Sequence, residues 1–182
     1  MSVVENNRQP DADIAPLFTE RWSTRAFSSE ALTDDEISKL FEAARWAPSN
    51  GNSQPWMVAY ETDGPDRETF NSVMRLGNQK WATSAPLLGY FFAKNNRPDG
   101  SPNGAPLFDT GSAWMSLAIQ AAMMGLFTHA MGGIDKDAAY ERLGVSTDEY
   151  TVICAFVVGH RGDVSALDDE LQRREVPNGR EP

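Results

Sequence analysis

Two arginines and a serine in Arg21-Trp22-Ser23-Thr24-Arg25-Ala26-Phe27 have the side chains and spacing of an anion site. In an extended chain Arg21, Ser23 and Arg25 point to one side, and in a helix the two arginines still share a face. Converging guanidinium groups repel each other unless an anion lies between them, and their geometry matches phosphate oxygens. The segment therefore predicts either a phosphate site or two solvated arginines paired with carboxylates.

A second candidate is the loop Ala47-Pro48-Ser49-Asn50-Gly51-Asn52-Ser53-Gln54-Pro55-Trp56. Its amides and hydroxyls offer many neutral hydrogen-bonding groups, which suits a large flat ligand with polar edges. The same residue types are ordinary turn formers, so a plain connection is the alternative. Beside the arginine pair, and with Gly132-Gly133 as a place of close main-chain approach, the interpretation as a ligand loop is favoured.

Several common catalytic arrangements are absent from the sequence. It has no Gly-x-Gly-x-x-Gly, no P-loop and no Gly-x-Ser-x-Gly nucleophile elbow. His129 and His160 are the only histidines, and because each stands alone we interpret both as packed or surface residues. Metal catalysis and triad hydrolysis are therefore disfavoured. The remaining parts suit a phosphorylated aromatic cofactor that supplies the chemistry itself.

Composition limits the class of protein. The 182 residues fit one domain, and 26 acidic against 16 basic residues give a net charge of −10, which disfavours nucleic acid and anionic membranes as partners. A single cysteine, Cys154, excludes an internal disulfide framework. With a polar N-terminal stretch and no apolar run of membrane length, these features predict a soluble, cytoplasmic protein.

The elements that must position the candidate residues alternate between helix and strand. A capping box at Thr33 to Glu36 starts the clearest helix, which Pro48 should end at Ala47, and Asp135 should cap a later one. Predicted helices span 14–22, 34–47, 67–74, 109–124 and 136–143, with a break at 78–81, and predicted strands span 56–60, 87–93, 126–131 and 151–158. This order predicts a layered α+β domain over residues 1–182.

Three segments lack periodicity, and one helix is unusually apolar. Residues 1–12 are expected to form a loose arm, 94–106 a long surface loop that covers the substrate side of a pocket, and 163–182 a charged C-terminal segment. The helix predicted to start at Asp109 as N-cap is apolar on nearly every side, so it must be buried in the core or against a second subunit. The second alternative is favoured.

Taken together, the segments 21–27 and 44–56 resemble the N-terminal signature of the FMN-dependent nitroreductase family. Asn78-Gln79-Lys80-Trp81, the apolar helix and Ala130-Met131-Gly132-Gly133-Ile134-Asp135 match later family positions in the same order. The resemblance runs from about residue 14 onward. It implies a nitroreductase-like α+β fold, with a mixed, mainly antiparallel sheet flanked by helices, in a homodimer with FMN at the subunit interface.

The resemblance also implies roles for particular residues. Arg21, Ser23 and Arg25 would hold the phosphate and ribityl chain, and Gly133 would offer its N–H near flavin N5. The loop would reach the flavin of the neighbouring subunit. Asn178 stands where a basic residue is common, two positions before the expected phosphate-binding Arg180. The full cofactor-binding set implied is Arg21, Trp22, Ser23, Arg25, Pro48, Ser49, Asn50, Asn52, Asn78, Met131, Gly132, Gly133 and Arg180.

The activity implied is a ping-pong NAD(P)H oxidoreductase. NADH or NADPH would reduce the flavin, and a nitroaromatic, quinone or similar acceptor would then take the electrons in the same pocket. No side-chain acid or base is required, in agreement with the isolated histidines. Two alternatives remain open at this point: an FMN-binding carrier or redox sensor without turnover, and a specialised relative of the dehalogenase or flavin-fragmenting type.

Overall fold

A four-stranded antiparallel sheet lies at the centre of the computed structural model, which describes residues 6–181. Its strands are β1 (Trp56–Glu61), β2 (Leu87–Lys94), β3 (Phe127–Met131) and β4 (Tyr150–Gly159), in the spatial order β1-β2-β4-β3. β2, the predicted central strand, is buried except at Lys94, and β4, predicted as a buried strand, is fully buried from Ala155 to Gly159. The resemblance implied a mixed sheet, whereas every strand pair within residues 6–181 is antiparallel.

Seven α-helices accompany the sheet in the described part of the chain. They are α1 (Leu17–Glu20), α2 (Asp34–Arg45), α3 (Arg67–Val73), α4 (Leu76–Ala82), α5 (Pro106–Met123), α6 (Lys136–Leu143) and α7 (Asp169–Arg173), with 3-10 turns at Asn50–Asn52 and Val164–Ala166. The α+β class predicted from the sequence is confirmed.

The two faces of the sheet carry separate hydrophobic clusters. One cluster joins α2 and α5 to Leu87, Phe91 and Phe156, while the other joins α3, α4, α6 and α7 to Leu88 and Phe92. Successive residues of β2 alternate between the clusters because side chains along a strand point to opposite faces. The helices therefore cover both faces, and the two edges, β1 and β3, lie three strand spacings apart.

Local sequence signals set most boundaries correctly. The Thr33 side chain accepts from the Glu36 N–H and the Glu36 carboxylate accepts from the Thr33 N–H, which confirms the capping box. Asp135 caps α6 as predicted, and Gly144 ends it in a left-handed conformation with φ 67°. The predicted helices 34–47 and 67–74 and the four strands agree with the observed ones to within two residues at each end.

Three predicted helical features were wrong. Helix α1 covers only Leu17–Glu20, and the segment predicted as a break at 78–81 is part of α4, which is held by its buried Trp81 and Ala82. Helix α5 begins at Pro106, so Asp109 lies inside its first turn and is not its N-cap. Proline is favoured at a first helical position because its φ is already helical and no partner for its nitrogen is needed.

No helix in residues 6–181 combines the length and apolarity of a membrane span. The N-terminal stretch lies partly outside the described residues. Its described part, 6–12, contains neither helix nor strand, and Arg8 within it makes three hydrogen bonds to main-chain carbonyls.

Candidate functional site

The segment 21–27 is extended, with its side chains alternating between two environments. Trp22, Thr24 and Ala26 are buried, with 7%, 0% and 2% of their surface exposed. Arg21, Ser23 and Arg25 are partly exposed on the opposite side. The chain therefore takes the extended alternative, and the two guanidinium groups and the hydroxyl point toward the same region.

A buried carboxylate fixes the shape of this segment. Glu175, 3% exposed, accepts from the N–H of Arg25 at 2.9 and 3.1 Å and from that of Ala26 at 3.3 Å, and the Thr24 hydroxyl donates to it as well. These bonds satisfy a carboxylate that would otherwise be costly to bury. Sequence reasoning missed Glu175 because its partners lie 150 residues away in an otherwise ordinary charged stretch.

The three predicted phosphate-binding side chains line one pocket of about 270 Å³. Arg180, which was also predicted, lies in the same pocket. The structure adds Arg8 and His129, which the sequence did not indicate as site residues. The complete lining is Arg8, Arg21, Trp22, Ser23, Arg25, His129, Asn178 and Arg180.

The charge of this pocket is strongly positive. Burial, followed by the nearby positive charge of Arg180, lowers the pKa of Arg21, and burial followed by Arg174 lowers that of Arg25. Within residues 6–181, Arg8, Arg21, Arg25 and Arg180 form no ion pair with a carboxylate. In a chain with 26 acidic residues this arrangement favours an anion site over solvated, paired arginines.

His129 is a packed residue beside this pocket, as the sequence interpretation held. Its Nδ1 lies 2.8 Å from the carbonyl oxygen of Thr24, so the hydrogen bond requires the proton on Nδ1. Its ring lies 4.6 Å from that of Trp81, and the Arg25 guanidinium lies 5.9 Å from the Trp81 ring. Burial, with a smaller contribution from Arg25, lowers the pKa of His129 to about 4. The ring is therefore neutral near pH 7.

Helix α4 brings a second part of the predicted site next to the first. The Asn78 side-chain nitrogen donates to the Gly133 carbonyl oxygen at 2.9 Å, and a Cβ on Gly133 would lie 2.6 Å from that nitrogen, so a larger residue there would displace the Asn78 amide. The N–H groups of Gly132 and Gly133 donate to no residue in 6–181, and a Cβ on Gly132 would meet no heavy atom within 4 Å. This place is open to a ligand with acceptor groups.

Met131 differs from the expectation for a cofactor-contacting side chain. It is the last residue of β3, pairs with Ala155 and is only 4% exposed, in the core cluster that includes Trp81. Since its side chain points into the core, only its main chain can border the open space beside Gly132.

The loop 48–54 has a strained conformation that several contacts maintain. Asn52 and Gln54 have φ of 56° and 44°, and left-handed conformations cost free energy at non-glycine residues, whereas Gly51, with φ 59°, adopts one without strain. The Asn50 N–H donates to the buried Asp109 carboxylate at 3.0 Å, and the Ser49 hydroxyl accepts from the Gln54 N–H at 3.0 Å.

The long loop between β2 and α5 packs against the same segment. The Asn103 side chain donates to the Ser53 hydroxyl at 3.2 Å, and a Cβ on Gly104 would lie 3.2 Å from the Asn50 side-chain nitrogen. Loops 48–54 and 95–105 therefore form one surface at the N-terminal end of β1.

This surface lies far from the arginine pocket of the same chain. His129 aligns through Val157 and Leu88 with Glu61, at the opposite end of β1 from Trp56. The two places are thus separated by three strand spacings, about 14 Å, across the sheet and by about 17 Å along it. The structure brings Arg21, Ser23, Arg25 and Arg180 into one pocket and joins Asn78 to Gly133. It leaves the loop residues Pro48, Ser49, Asn50 and Asn52 elsewhere.

Comparison with known proteins gives one consistent family. Residues 18–74 and 58–160 match the sequence model described as the nitroreductase family. A crystal structure described as an oxidoreductase containing FMN superposes with a TM-score of 0.93 at 39% identity, covering 98% of this chain and 92% of the other.

Two characterised relatives are more distant in sequence. The oxygen-insensitive NAD(P)H nitroreductase of Salmonella typhimurium is 23% identical, covering 91% of this chain and 96% of the relative. The FMN reductase [NAD(P)H] of Bacillus subtilis is also 23% identical, covering 90% of this chain and 72% of the relative.

Proposed function

Because the chain belongs to the nitroreductase family, we propose that it is an FMN-dependent oxidoreductase that uses NAD(P)H to reduce a nitroaromatic, quinone or similar acceptor. The observation that carries this proposal is the arginine pocket, which concentrates positive charge in a chain of net charge −10. FMN carries a phosphate that such a pocket can bind, whereas riboflavin does not. The names of the relatives, which include FMN and NAD(P)H, support the same activity.

The donor set fits FMN at both ends. Arg21, Ser23, Arg25 and Arg180 would hold the phosphate with charge-assisted and hydroxyl hydrogen bonds, and the buried Trp22 borders this end. At the other end the N–H groups of Gly132 and Gly133 donate to no residue in 6–181, and the space beside Gly132 is open, whereas Asn78 lies against Gly133. The hydrogen bond from Asn78 to the Gly133 carbonyl oxygen holds the main chain of Gly133 in place, and Asn78 also supplies a polar side chain.

The protein's part in the reaction is to orient the reactants. Bound FMN supplies the redox chemistry by which NAD(P)H is oxidised and the acceptor reduced. The unpaired N–H groups of Gly132 and Gly133 would hold a polar ring edge, and because His129 is neutral, the arginines supply the positive charge at the phosphate end. No side chain has to donate or accept a proton, since orientation and electrostatics suffice.

We further propose that the active form is a homodimer. The loop containing Pro48, Ser49, Asn50 and Asn52 cannot reach the arginine pocket of its own chain, so these residues would contact the flavin bound by a second copy. Helix α5 leaves Leu107, Phe108 and Met123 55%, 77% and 70% exposed. Large apolar side chains on one helix are typical of a surface that another subunit covers.

The test begins with the purified protein. It should be yellow, with the absorption and fluorescence of FMN, and stopped-flow mixing with NADH or NADPH should bleach the flavin until an acceptor restores it. Protein that neither carries nor takes up FMN would refute the proposal. Flavin that binds but is never reduced would indicate a carrier or sensor, and a screen of acceptors with the reduced protein would identify a dehalogenase or a flavin-fragmenting enzyme.

A further inference from the structure

Arg8 occupies the arginine pocket although nothing in its sequence context suggested a role. Its Nε donates to the carbonyl oxygen of Asn178 at 2.7 Å, and its Nη1 donates to those of Thr19 at 3.1 Å and Arg21 at 2.8 Å. All three acceptors are main-chain carbonyls, so they orient the guanidinium group without neutralising it. The Nη2 nitrogen donates to no residue in 6–181.

The surroundings of Arg8 are electrostatically unfavourable without an anion. Burial lowers the pKa of Arg8, and the positive charges of Arg180 and Arg21 lower it further. No carboxylate in the described residues forms an ion pair with any of these three arginines. Holding like charges together in this way is costly, and a bound phosphate would remove the cost.

The position of Arg8 also accounts for a difference between the C-terminal segment and the family pattern. Asn178 stands where the family resemblance leads one to expect a basic residue, and it is the carbonyl oxygen of Asn178 that accepts from Arg8. The N-terminal stretch thus places a guanidinium group beside a position that lacks a positive side chain.

We infer that Arg8 binds the phosphate of FMN together with Arg21, Arg25 and Arg180, and that it helps this protein to prefer FMN over riboflavin. The inference rests on the proposed function. If Arg8 only connected the two terminal segments, its replacement should weaken the binding of FMN and of riboflavin equally.

The experiment compares flavin binding by the full-length Arg8→Gln variant and by the wild-type protein. FMN and riboflavin are titrated separately into flavin-free protein, and binding is followed by flavin fluorescence. Loss of a charge-assisted hydrogen bond should weaken FMN binding by about 10- to 100-fold. Riboflavin binding should change by less than about two-fold, since it has no phosphate to lose contact with. Added salt should reduce the difference in FMN affinity between the wild-type protein and the Arg8→Gln variant.

Arg173→Gln is the matched control, because it removes the same charge from an exposed residue of α7 outside the pocket. Arg8→Lys keeps the charge and should retain most of the preference for FMN. The inference is overturned if Arg8→Gln binds FMN as Arg173→Gln does, if both flavins weaken equally, or if Arg8→Lys loses as much preference as Arg8→Gln. Wild-type protein that binds neither flavin would instead refute the proposed function, and the inference with it.

Discussion

At the scale of single residues, the arginine pocket depends on side chains that are charged but not paired. Arg25 is the clearest case: its N–H is bound by Glu175, its guanidinium group lies over Trp81, and its charge faces the pocket. The main chain and the ring hold the residue in place, so the guanidinium group is available for a ligand.

We expect Arg25→Ala to weaken FMN binding by about 1.5 to 3 kcal/mol, the range for a hydrogen bond to a charged group. Isothermal titration calorimetry on flavin-free protein measures the change directly. Arg173→Ala should leave the affinity unchanged. An unchanged affinity in Arg25→Ala would show that this arginine does not face the phosphate.

His129 gives a pH dependence whose sign follows from its surroundings. Its pKa is about 4 in the folded protein, below the ordinary 6.5, so the unfolded chain binds the proton more tightly. The folded state therefore loses stability as the pH falls from about 6.5 toward 4 and gains nothing further above that range. We expect a loss of about 1 to 2 kcal/mol in unfolding free energy between pH 7 and pH 5.

Urea unfolding of the flavin-free protein at the two pH values tests this expectation. His129→Gln keeps a donor for the Thr24 carbonyl but cannot titrate. The unfolding free energy of this variant should therefore fall less between pH 7 and pH 5 than that of the wild-type protein. The same pH dependence in both proteins would assign the effect to other groups.

At the scale of helices and loops, Asp109 connects α5 to the loop 48–54. It is 3% exposed, and its carboxylate accepts from the Asn50 N–H at 3.0 Å. Asp109→Ala should lower the unfolding free energy by about 1 to 3 kcal/mol, because it leaves a donor without its partner. It should also release the strained residues Asn52 and Gln54.

Amide hydrogen exchange distinguishes these effects. Exchange at residues 50–54 should accelerate in Asp109→Ala. Asp135→Ala, which removes the N-cap of α6, should cost comparable stability without changing exchange in the loop. Equal exchange in the two variants would contradict the role given to Asp109.

The helices and strands also differ in how well the sequence predicts them. Capping side chains and unbroken apolar runs act over a few residues, so α2, α6, β2 and β4 were found from local patterns. Helix α4 was missed because Gly77 and Asn78 are poor helix formers, and burial of Trp81 stabilises it instead. The spacing of Arg21, Ser23 and Arg25 gave half of the site, whereas Arg8 and Glu175 join it only through contacts distant in sequence.

At the scale of the whole molecule, the two predicted parts of the cofactor site lie far apart in a single chain. The arginine pocket adjoins β3 and the loop 48–54 adjoins β1, at opposite edges and ends of the sheet. A second copy that covers the exposed apolar residues of α5 would provide the missing loop.

We expect Phe108→Asp to shift the protein toward monomers, because Phe108 is 77% exposed in the single chain and a charge there would have to be buried in a dimer. Sedimentation velocity at several concentrations measures the shift, and flavin binding should weaken in parallel. Thr147→Asp adds the same charge in an exposed turn and should leave the oligomeric state unchanged. A wild-type protein that sediments as a monomer would contradict the dimer.

The buried carboxylate of Glu175 has a consequence for biosynthesis. The segment 21–27 obtains its shape from a residue that the ribosome adds 150 positions later. During translation the arginines emerge early, yet their arrangement cannot form until the chain has been made past Glu175, because contacts of such long range form late. If the arginine pocket binds FMN as proposed, a nascent chain that stalls before Glu175 would lack the contacts that hold segment 21–27 in shape for the cofactor.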